Sequence, residues 1–202
     1  MLFICLIACR PDPGPPQYPT ADELPNFGGP DPYEEGDERI SLGIFYEMGA
    51  SETYTIDNSN QFFYIWGNTF SVFSTQERIE GYSSDRIVVG DLGWWGGGVF
   101  WSEAGDFSQW DTLNVALKVE NIDITDVEVG MGQGDGEILY WVSAQEYGLE
   151  YDNEWYQLSI PLAPAWEVID PTLIQMPFNI RGNGTPESSL LIDNLYISKE
   201  EI

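Results

Sequence analysis

The chain has 202 residues, 43% of them hydrophobic, which is enough for one well-buried core and short for two. Seven Lys and Arg stand against 34 Asp and Glu, a net charge of -27, so a nucleic acid would meet repulsion instead of releasing counterions, and that class of partner is excluded. No His is present, which removes Ser-His-Asp catalysis, imidazole-bound zinc and a His general base. The acid excess itself reads as a solvated, salt-tolerant surface, with cation capture as the other reading.

Residues 1–9 form a short apolar run, Leu2-Phe3-Ile4-Cys5-Leu6-Ile7-Ala8, closed by Cys9. It is too brief to span a bilayer and suits the core of a signal peptide. Leu6-Ile7-Ala8-Cys9 resembles a bacterial lipobox, with Cys9 as the lipid acceptor; a plain secretory signal cleaved elsewhere is the alternative. Either predicts export, to the cell envelope or cell surface. With Cys9 acylated, the exported part keeps no thiol for a disulfide or a nucleophile.

Residues 10–39 are rich in Pro, Gly, Asp and Glu, as in Pro11-Asp12-Pro13-Gly14-Pro15-Pro16. Such a stretch buries too little apolar surface to offset its ordering entropy and reads as an extended tether. A single domain is expected over 40–202. There the apolar period is two: Leu113, Val115, Leu117 and Val119 alternate with Asn114, Ala116 and Lys118, and Val127, Val129 and Met131 alternate with Glu128, Gly130 and Gly132. Further strands are predicted over 40–47, 62–66, 70–73, 86–89, 99–101, 138–142, 155–160, 173–180 and 190–197, divided by turn clusters such as Gly134-Asp135-Gly136. With no long amphipathic helix, the expected fold is all-β, an antiparallel β-sandwich.

Carboxylates remain as the candidates for acid–base chemistry. In the acidic run 120–128, Glu120 and Asp123 fall on opposite faces of an extended strand, whereas Asp126 and Glu128 share one. A loop between Val119 and Val127 accounts for the run better than catalysis does, and no catalytic residue is assigned. Aromatics are the stronger signal. Sugar rings present C–H faces that stack on Trp and Tyr, and their hydroxyls want planar polar partners. The candidate ligand-binding residues are Trp66, Trp94, Trp95, Trp101, Tyr140 and Trp141. Neighbours on a strand face opposite ways, so one of Trp94/Trp95 and one of Tyr140/Trp141 belongs to the core. Trp110, Trp155 and Trp166 are assigned to packing.

Two carboxylates stand out within apolar or aromatic strands, Glu47 in Tyr46-Glu47-Met48-Gly49 and Asp193 in Leu191-Ile192-Asp193-Asn194-Leu195. An unpaired charge is costly there, and a structural Ca2+ bridging Glu47 and Asp193 is one remedy; local hydrogen bonding at a strand end is the other. The order of motifs also resembles a family. Tyr46-Glu47-Met48-Gly49, Glu80-Gly81-Tyr82-Ser83-Ser84 followed by Trp94-Trp95-Gly96-Gly97, the stretch from Asp106 to Leu113, Trp155 with Ile160-Pro161-Leu162, and Ile192-Asp193-Asn194 together resemble the calcium-containing, galactose-binding-like jelly-roll carbohydrate-binding modules related to families 4, 9 and 22. That resemblance spans about 40–198. It implies a two-sheet jelly roll with calcium held by Glu47 and Asp193, and a glycan bound on the concave sheet or at loop tips. The expectation is therefore a lipid-anchored surface module that binds a polysaccharide, β-glucan-like, without cleaving it. A structural or adhesive envelope protein that binds another protein is the alternative, and a carboxylate-only glycoside hydrolase or lyase a more distant one.

Overall fold

An extended backbone sends successive side chains to opposite faces, so a segment of period two buries one set and wets the other. The computed structural model of the chain describes residues 40–45, 52–53, 61–79, 83–134, 136 and 138–199. Cys9, the segment 10–39 expected to be a tether, Glu47 and the Gly81-Tyr82 pair lie outside the described residues. The strands are β1 (Ile40–Phe45), β2 (Glu52–Thr53), β3 (Gln61–Ile65), β4 (Phe70–Thr75), β5 (Ser84–Val89), β6 (Trp94–Trp101), β7 (Thr112–Val119), β8 (Thr125–Gln133), β9 (Ile138–Ser143), β10 (Trp155–Pro161), β11 (Ile174–Asn183) and β12 (Ser189–Lys199).

They make two sheets. A seven-stranded sheet runs β10-β7-β12-β1-β2 and carries β4 on β5, which itself pairs with β12; a five-stranded sheet runs β3-β6-β11-β8-β9. Apart from the short parallel contact of β1 with β2, the pairings are antiparallel, and the fold is the expected β-sandwich. The inner layer is the apolar set that the alternation marks: Leu113, Val115, Leu117 and Val119 from β7 face Val127, Val129 and Met131 from β8 within one core.

β12 holds the larger sheet together. Its first half pairs with β5 and its second half with β1, while β7 runs along its other side. The change of partner coincides with a bulge: Asp193 opposes Ala116 but Tyr196 opposes Asn114, so β12 carries one extra residue, and Asn194 sits there with φ of 49°. The extra residue reverses the phase of the alternation. Leu190 and Ile192 point inward before the bulge, and Leu195 and Ile197 after it. Asp193, completely buried, is held by the local geometry: Oδ2 accepts from the Ile79 N–H at 2.7 Å and Oδ1 from the Asn194 N–H at 2.8 Å.

The outer faces of the two sheets differ. On the seven-stranded sheet, Ala116, Trp155 and Leu191 form a second apolar cluster beneath Ile79 from the β4–β5 connection. On the five-stranded sheet the outward face stays open, with Tyr64 60% exposed. Trp110 and Trp155 are buried and Trp166 packs on the core, as assigned from sequence.

Several strand boundaries differ from expectation, two of them for a physical reason in β6 and β8. The strand expected over 99–101 begins at Trp94, because Gly96-Gly97-Gly98, which carry no β propensity, are positions where neighbouring backbone and rings come too close for a Cβ. The loop expected up to Val127 gives way to β8 at Thr125. Within β6, Trp95, Gly97, Val99 and Trp101 face the core, whereas Trp94, Gly96, Gly98 and Phe100 face outward. Trp95 is wholly buried and Gly182 leaves room for its indole, so Trp95→Ala should cost about 3–5 kcal/mol in chemical denaturation. Trp94→Ala, at a side chain 44% exposed, should change stability by less than about 1 kcal/mol in the same assay.

Candidate functional site

The open face of the five-stranded sheet is ordered by cross-strand rows. Tyr64, Gly98, Asn179, Gly130 and Trp141 make one row, since each opposes the next in register. Gly96, Arg181, Glu128 and Ser143 make the next. Directly opposed residues share a face, so both rows look outward together.

Glycine is what lets large groups lie across this face. A Cβ on Gly96 would stand 2.5 Å from Trp66 Cε3, and one on Gly130 would stand 2.8 Å from Trp141 Cε3 and closer still to the Tyr140 carbonyl. Trp66 follows β3 in a tight turn whose next two residues, Gly67 and Asn68, have φ of 58° and 54°, the left-handed region that Gly and Asn tolerate best. The turn is pinned by Thr69, fully buried, whose hydroxyl accepts from the Gly96 N–H at 3.1 Å. Thus the strand that makes room for the Trp66 ring also anchors the turn that delivers it.

Trp66 and Trp141 meet edge to face, with centroids 5.9 Å apart and planes at 80°. Arg181 lies over the Trp141 ring at 4.2 Å and donates from Nε to Glu128 Oε2 at 2.6 Å. Such stacking is one of the things a planar guanidinium does that an ammonium does not. Beside this cluster, β8 bulges against β11: Glu128 opposes Arg181 while Thr125 opposes Asn183, and the extra residue includes Asp126 at φ of 53°. The bulge aims Asp126 at the same place, where its Oδ2 accepts from Asn183 Nδ2 at 2.9 Å.

Together these groups wall a pocket of about 240 Å³, with Trp66 and Trp94 on one side, Asp126 and Glu128 on the other, and Arg181 and Asn183 between. Enclosing sites for drug-sized ligands run to about 300–1,000 Å³, so this one admits a ring or a substituent of something larger. Its chemistry is amphipathic: indole faces next to a fork of donors and a pair of acceptors.

Of the six aromatic candidates, Trp66 and Trp94 line the pocket. Trp141 stands behind it, with one ring face already taken by Arg181. The expectation for Trp101 is corrected: it points inward, is 7% exposed and packs against Phe107 at 5.5 Å, because it has the core parity of β6. Trp95 shares that parity and touches the pocket only as its floor, donating from Nε1 to the Asn183 carbonyl at 3.2 Å. Tyr140 opposes the buried Met131 and packs on the core; burial pushes its phenol above the ordinary value, with Tyr147 and Glu146 adding to the shift. Each doublet therefore splits between core and outer face. Asp193 is in the other sheet, away from this face, while Glu47 and Cys9 lie outside the described residues.

Sequence reasoning missed Arg181, Asn183 and the contribution of Asp126 and Glu128. Arg181-Gly182-Asn183 extends a strand that was expected to end at Ile180, and an apolar-period criterion stops where the outward residues turn polar. The available signal was the scarcity of cations: among seven Lys and Arg, one beside a glycine in a strand stands out.

No protein-family model matches the chain, and no curated protein matches it in sequence. Solved structures do share its fold. The family 30 carbohydrate-binding module of a cellulosomal cellulase of Clostridium thermocellum aligns with a TM-score of 0.58 and 16% identity, covering 81% of this chain and 99% of that one. The family 11 carbohydrate-binding module from Clostridium thermocellum, in complex with a β-1,3-1,4-mixed-linked tetrasaccharide, aligns with a TM-score of 0.53 and 11% identity, covering 79% and 96%. At these identities the likeness is one of fold, a jelly-roll β-sandwich.

The role of the glycines can be measured directly. Gly130→Ala should destabilise the chain by about 1–3 kcal/mol in urea titration, since the new Cβ meets a backbone carbonyl that cannot turn aside. Gly96→Ala meets an aromatic ring instead, so its main effect should be a shift in tryptophan fluorescence as Trp66 is pushed off the sheet.

Proposed function

We propose that this chain is a non-catalytic polysaccharide-binding module that holds an uncharged, β-glucan-like chain on the open face of its five-stranded sheet, at the pocket beside Trp66, Trp94 and Arg181. The observation that carries the reading is the pairing of exposed indole faces with a dense set of planar polar groups on one glycine-floored sheet face. In this role Trp66 and Trp94 stack on sugar C–H faces, while Arg181, Asn183, Asp126 and Glu128 exchange hydrogen bonds with hydroxyls. Trp141 and Glu128 hold the guanidinium flat and oriented, so it meets the ligand with little rotamer entropy left to lose. The solved modules of the same fold, one of them bound to a mixed-linked tetrasaccharide, support this direction. The kinship to families 4, 9 and 22 rests on the order of sequence motifs.

A carboxylate-only hydrolase has less support. Asp126 and Glu128 are neighbours on one strand, and each already accepts from a fixed donor, Asn183 and Arg181 respectively, instead of flanking a cleft from opposite walls. A protein-binding envelope role would call for a flat apolar patch or a long open strand edge. The proposal extends to a lipid anchor at Cys9 and display at the cell surface on the 10–39 tether, tested by globomycin-sensitive processing and metabolic palmitate labelling.

In affinity electrophoresis, at least one of mixed-linkage β-glucan, glucomannan, xylan or laminarin should retard the chain, with no reducing ends released. Trp94→Ala should weaken retention about tenfold while lowering the melting temperature by no more than a few degrees, and Arg181→Ala should do the same, since its half-exposed ion pair and its contact with Trp141 each contribute about 1 kcal/mol or less to folding. Reducing-end release that vanishes in Glu128→Gln would favour the hydrolase.

Structural calcium is part of the proposal. Asp193 is a buried carboxylate at the bulge, and the adjacent Asn194 Oδ1 is buried with no hydrogen-bond partner among the described residues, so a hard oxygen-seeking cation suits this donor set. Glu47 would complete it from outside the described residues, within which no group of three or more acidic side chains converges. Chelation should then lower the melting temperature, and Asp193→Asn should remove most of that response; identical melting curves with chelator and with millimolar calcium would discard the ion.

A further inference from the structure

Asn179 stands at the centre of the open sheet face and has no exposed surface, and neither its Oδ1 nor its Nδ2 finds a hydrogen-bond partner among the described residues. Its place in the first row makes this unusual. Both cross-strand neighbours are glycines, Gly98 and Gly130, so no side chain of theirs competes for the space above the strand. A Cβ on Gly98 would run into both the Phe178 carbonyl and Asn179 Oδ1, so the carboxamide lies across Gly98 and a side chain there would displace it. A buried amide with both polar ends unanswered is a standing cost to the fold, and a Leu of similar size would avoid it.

The rings close to it supply the explanation. Trp141 belongs to the same row and lies over Gly130, while Trp66 lies over Gly96 in the next row, and their rings meet edge to face at 5.9 Å across the strand that carries Asn179. Edge-to-face contacts of this kind contribute about 0.5–1.5 kcal/mol beyond area burial, little enough for a ligand that stacks on one of the rings to replace. We propose that Asn179 is the residue that reads the sugar's hydroxyls, and that the Trp66–Trp141 pair closes over this row in the free protein and parts when a glycan stacks on Trp66. A carboxamide offers donors and an acceptor in one plane, matching the paired donor–acceptor character of vicinal hydroxyls. The inference rests on the glycan-binding reading above and adds to it the group that sets orientation and selectivity, one the pocket beside Trp94 does not contain.

The test uses cellotetraose, a mixed-linked β-1,3-1,4-gluco-tetrasaccharide, mannotetraose and xylotetraose, with the wild type, Asn179→Leu and Asn179→Ala. Asn179→Leu should melt at or above the wild-type temperature, because it removes the unanswered amide, yet bind the preferred tetrasaccharide about tenfold more weakly and discriminate less among the four. In the wild type, the side-chain amide resonances of Asn179 should shift on saturation, and the Trp–Trp exciton couplet in circular dichroism should shrink as the rings part. Both readouts come from the unmutated chain, so they decide the matter even where a variant fails to fold. Unmoved Asn179 resonances, or wild-type affinity in a folded Asn179→Leu, would overturn the inference and leave glycan binding at the pocket intact. A wild type that binds none of the four nor any polysaccharide in the electrophoresis panel removes the glycan reading and this inference with it.

Discussion

The open face depends on close approach over glycine. Trp66 crosses Gly96, the Asn179 carboxamide crosses Gly98, and Trp141 crosses Gly130, each at a distance that a Cβ would forbid. Removing side chains from the floor of a sheet costs β propensity and loses cross-strand contacts. The loss is tolerable here because the inward residues of the same strands, Trp95, Val99, Val129 and Met131, are among the most deeply buried in the core. One face of these strands supplies stability, and the other carries the open pocket.

The two sheets divide the labour between them. The seven-stranded sheet is fastened by β12, whose single bulge lets one strand serve β5 and β1 in turn while keeping Leu190, Ile192, Leu195 and Ile197 all inward. Its outer face is partly covered by Ile79 over Trp155, Ala116 and Leu191. The five-stranded sheet uses its own bulge differently. At Asp126 the extra residue does not exchange strand partners; it re-aims a carboxylate toward Asn183 at the rim of the pocket. Both bulges place a non-glycine residue at positive φ, and both residues, Asn194 and Asp126, are of the type that tolerates it best.

The electrostatics of the open face are those of a neutralised surface. Arg181 is engaged by Glu128 and Trp141, so it offers directed N–H groups more than net positive potential. A chain with a net charge of -27 would repel polyanions at long range, and among the described residues the cation of this pocket, Arg181, is paired with Glu128.

Alternation alone made the strands of the sandwich legible, since a period of two has one structural meaning wherever a core must be buried. It also showed that Trp94/Trp95 and Tyr140/Trp141 must each split between faces. It could not say which member went where, because parity within one strand has no sign until that strand is docked in a sheet. Trp101 shows the limit: its distance from Trp95 fixes it to the same face, yet only the packing against Phe107 identifies that face as the core. The site was harder still to read. Arg181 and Glu128 are far apart in sequence and meet through the register of β11 on β8, and Asp126 reaches Asn183 through a bulge that no local pattern announces. What the sequence by itself determined was the class of fold, the exclusion of His chemistry, and a supply of aromatics at both parities of the strands. Which rings stay outside, which polar groups join them, and that Asn179 lies between two glycines with no hydrogen-bond partner among the described residues were decided by tertiary structure, because cross-strand register and bulges are properties of paired strands and not of any one of them.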